Sequence, residues 1–103
     1  MQDDLKTRLC EAVDAAFDAE VAFLSELTSH PSTRGNEQSA QDFMAKALTA
    51  RGLSVDRWQI DVSEIQHLPG FSPVLGPYED AVNVVGTHRP TSREGRSLIL
   101  NGH

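Results

Sequence analysis

Ser97-Leu98-Ile99-Leu100-Asn101-Gly102-His103 closes the 103-residue sequence. Its unbroken apolar triplet reads as a strand covered on both faces, where a half-exposed strand would alternate. In α/β sheets, ligands gather at the carboxyl ends of such strands. A glycine before a terminal histidine lets another group approach the backbone closely. His103 is therefore the one histidine placed as a candidate metal ligand.

Upstream, Ala81–Thr87 reads as a second strand, joined to the first by a turn around Pro90 and Gly95. Leu53 to Val62 reads as a third. Leu53 and Val55 share one parity and Trp58, Ile60 and Val62 the other, a phase change expected of a bulge or a doubly buried strand. Residues 63–80 hold Pro69, Pro73, Pro77, Gly70 and Gly76 and are expected to form a long irregular loop.

Two helices precede these strands. Over residues 4–28, Leu5, Leu9, Val13, Phe17, Val21, Leu24 and Leu27 recur at steps of three or four, with Ala12 and Ala16 widening the stripe. Glu11, Asp14, Asp18, Glu20 and Glu26 make the rest of that helix acidic, a solvated face. Cys10 beside the stripe is expected to be packed and inert. Pro31 ends the helix at His30 by excluding α geometry from the residue before it. A polar turn through Asn36 leads into a second helix from Glu37 to Arg51, with Gly52 placed as a left-handed terminator. The fold class is α/β, the N-terminal portion of an α/β sandwich of two helices and about three strands. It is incomplete, because such a set leaves a sheet edge and much of a sheet face uncovered.

Composition narrows function. One cysteine among 103 residues excludes an intramolecular disulfide framework and zinc-finger spacing. Nine basic residues against fifteen acidic ones argue against nucleic acid, and Arg89, Arg93 and Arg96 in one turn read as solvated. The acidic start Met1-Gln2-Asp3-Asp4 is unlike a signal peptide, and no apolar run approaches the ~20 residues of a membrane span. A soluble cytoplasmic location is the expectation. His30, His67 and His88 show no ligand spacing, and no nucleophile elbow or phosphate loop occurs.

Residues 97–103, SLILNGH, resemble the strand that carries the first metal ligand in M20-type metallohydrolases, the acetylornithine deacetylase, succinyl-diaminopimelate desuccinylase and carboxypeptidase group. Other segments are similar in order and spacing. Phe23 to Leu27 followed by Pro31-Ser32-Thr33-Arg34-Gly35-Asn36-Glu37 resembles the family's first helix and its Pro-Ser, Gly-x-Glu turn. Phe43 to Val55 resembles the second helix and first strand, and Asn83-Val84-Val85-Gly86 the Asn-Val-Val strand. The loop His67–Val74, with the Val85-Gly86-Thr87 strand after it, is most similar to acetylornithine-deacetylase-like members, with dipeptidase and desuccinylase specificities as the alternatives. The resemblance covers residues 18–103, the N-terminal part of a zinc-aminopeptidase-like catalytic domain, with 1–17 a helical extension.

The resemblance implies metal-assisted hydrolysis of N-acyl amino acids or peptides. Two zinc ions, or cobalt, would share a bridging aspartate and a water whose pKa they lower, with a glutamate as general base. It implies that His103 is a zinc ligand through a neutral imidazole nitrogen. No other residue matches a family catalytic position. The aspartate that the family carries two residues later, the remaining ligands and the general base have no counterpart in residues 1–102. The 103 residues alone are therefore expected to be inactive and to hold zinc weakly. The alternative is a non-catalytic interaction module that binds a partner or a second copy through an exposed sheet edge.

Overall fold

A computed structural model describes residues 1–74, 76 and 81–102. Helix α1 spans Gln2–Ser29, α2 Gln38–Ala50 and a single-turn α3 Val62–Ile65. Strands β1 (Ser54–Gln59) and β2 (Val82–Thr87) pair antiparallel from Ser54↔Thr87 to Gln59↔Val82. The coarse expectation of a mixed helix-and-sheet fold holds.

Helix α2 lies on the two-stranded sheet, and α1 touches α2 alone among these elements. The α2–β1 connection is tight because α2 ends in a Schellman motif. Gly52 at φ +80° donates to the Thr49 carbonyl at 3.0 Å, and Leu53 N–H reaches the Leu48 carbonyl at 3.2 Å. That folds Leu53 back onto Leu48, and both side chains come down on Gly86 of β2. A Cβ at Gly86 would lie 3.1 Å from methyl carbons of each. Glycine there sets how closely the helix approaches the sheet.

Four expectations are corrected. Ser97–Gly102 forms no strand, and Leu98, Ile99 and Leu100 are 83%, 90% and 87% exposed. An apolar run becomes an interior strand only where neighbouring backbone and two covering layers meet it, and among the described residues none does. The pairing of β1 also has no bulge. Trp58 lies on the exposed face of β1, opposite Val55, while Ile60 and Val62 fall past the strand's end at Gln59, where the chain turns into α3 and Asp61 caps the Ser63 N–H. Ser63 donates its N–H and its hydroxyl to Asp61 Oδ1, at 2.9 and 2.6 Å. The loop of residues 63–80 is accordingly less irregular at its start than proline and glycine content suggests.

Cys10 is exposed, not packed, because α1 projects past its neighbour. On α1 only Phe23 and Leu27 are part-buried. No described residue is fully buried, and the exposed area is 9246 Å². A compact monomer of this mass exposes about 5,700 Å². The radius of gyration, 17.7 Å, likewise exceeds the about 13 Å of a compact chain of this length.

Candidate functional site

His103, the sole candidate ligand, lies outside the described residues. Asn101 and Gly102 before it are exposed and irregular. Among the described residues no group of three or more His, Cys, Asp or Glu side chains could hold a metal ion. His67 and His88 are exposed on loops, and Arg89, Arg93 and Arg96 are exposed on irregular chain.

Among the described residues, one concave feature lies where α1 meets α2. It is an open groove of about 610 Å³ lined by Glu26, His30, Ser39, Asp42, Phe43, Lys46 and Ala47. Pro31 holds His30 extended, at φ −81° and ψ 132°, which turns its ring back over the start of α2. Its Nδ1 lies 2.9 Å from Ser39 Oγ, and its ring sits 5.1 Å from that of Phe43. Phe43 also meets Phe23 at 5.2 Å, and the Arg51 guanidinium lies 5.0 Å from the Phe23 ring centre. Asp42 is drawn away from the histidine into a salt bridge with Arg57 of β1.

The histidine and serine are thus spent on joining two helices. A nucleophilic pair needs the histidine oriented by a third group and a donor pocket for the developing oxyanion. Here the nearby carboxylate is engaged by an arginine on another element. Sequence spacing did not bring His30, Ser39 and Phe43 together, because they sit on two helices joined by an irregular turn. The pointer to the pairing was Pro31, which fixes the direction in which His30 leaves the helix.

The turn itself is built on Glu37. Gly35, at φ +80°, donates its N–H to Glu37 Oε1 at 3.0 Å, and Asn36 N–H closes onto the Thr33 carbonyl at 2.8 Å. Glu37 Oε2 is shielded from solvent and has no hydrogen-bond partner among the described residues.

No protein-family model, curated protein or solved structure matches this chain.

Proposed function

We propose that residues 18–103 are the N-terminal part of an M20-type metallohydrolase catalytic domain, of the acetylornithine deacetylase kind, acting on N-acyl amino acids. The observation that carries this reading is the succession of the Pro31–Glu37 turn, α2, the Asn83-Val84-Val85-Gly86 strand and SLILNGH in one order and spacing. The Glu37 contact to Gly35 supports it, since it gives the Gly-x-Glu segment a structural reason.

The described residues do not fit a di-zinc centre, because they contain no cluster of ligands. His103 is the single ligand this reading assigns, and one imidazole falls short of the about three protein ligands of a catalytic zinc site. In this reading residues 1–102 supply scaffold.

The reading frame past codon 103 tests the assignment. An aspartate two positions on, followed by a valine-rich stretch and a proline, is the expected result, and any other continuation overturns it. Zinc titration of the 103-residue chain tests its inactivity. Tight stoichiometric zinc together with N-acyl amino acid hydrolysis by these residues alone would contradict the second half of the proposal.

A second reading, a non-catalytic interaction module, is favoured by the two-stranded sheet, in which β1 and β2 pair only with each other among the described residues. It predicts that outer-edge amides of β1 or β2 gain hydrogen-exchange protection when a partner is added. Protection unchanged by any partner retained on the chain would remove it.

A further inference from the structure

We draw no further inference here: the strongest candidate, the exposed apolar face of α1 formed by Leu5, Leu9, Val13, Phe17 and Val21, is an unpartnered helix face, and nothing in the structure shows what covers it.

Discussion

Asp61 caps the first turn of α3. The hydroxyl and then the N–H of Ser63 hold its carboxyl below the usual carboxylate range. A carboxylate so depressed stabilises the folded turn above its unfolded pKa and loses that contribution as pH falls through its folded pKa. The start of α3 is therefore expected to fray below the ordinary aspartate range. A pH series of Ser63 amide shifts checks this, and Asp61→Ala should remove the acid transition. Gly86 makes a different demand. Gly86→Val drives branched methyls into Leu48 and Leu53 and should cost about 1–3 kcal/mol. Pairing it with Leu48→Ala should cost less than the two changes summed, since one vacates the space that the other needs. Denaturation followed by Trp58 fluorescence, from the chain's single tryptophan, measures both.

At the scale of elements, the helices were legible because period and punctuation agree. Helix α1 was expected over 4–28 and runs Gln2–Ser29, and α2 over 37–51 and runs Gln38–Ala50. Gly52 terminates α2 in the left-handed conformation, as its position implied. Substituting Gly52→Ala is expected to cost about 1–2 kcal/mol, the penalty of a Cβ in that region, measured by thermal unfolding. The strands were less legible. Ile60 and Val62 continue a strand-like apolar pattern, yet Asp61 followed two residues on by Ser63 is a cap, and the cap prevails over the pattern. Leu98-Ile99-Leu100 has the composition of a strand without the pairing that makes one. A residue's propensity is local, whereas a strand exists only in its neighbour's hydrogen bonds. Of the candidate site, His103 lies outside the described residues, and the His30–Ser39 contact was not legible because it joins two helices across an irregular turn.

Across the whole molecule, the apolar content is ordinary for a globular chain but is arranged on surfaces. The hydrophobic fraction is 39%, yet no described residue is fully buried. Phe23 ties the 28-residue α1 to α2 and its C-cap through Phe43 and Arg51. Isolated helices are marginal in water, so α1 should be protected from hydrogen exchange only where a second surface covers it. Amides 5–20 are expected to exchange faster than amides 23–29, and equal exchange along the helix would contradict this. Urea unfolding should show a slope below about 1 kcal/mol/M, the low end for small proteins, because little surface remains to be exposed.

The exposed triplet Leu98-Ile99-Leu100 has one more consequence, in what it does to nearby chains. Steric-zipper segments run to six or seven residues of high strand propensity and low charge. Here Arg96 stands two residues before the triplet, and Asn101 and Gly102, both poor strand formers, follow it. The sticky stretch is thereby kept to three residues. It is too short to template a fibre.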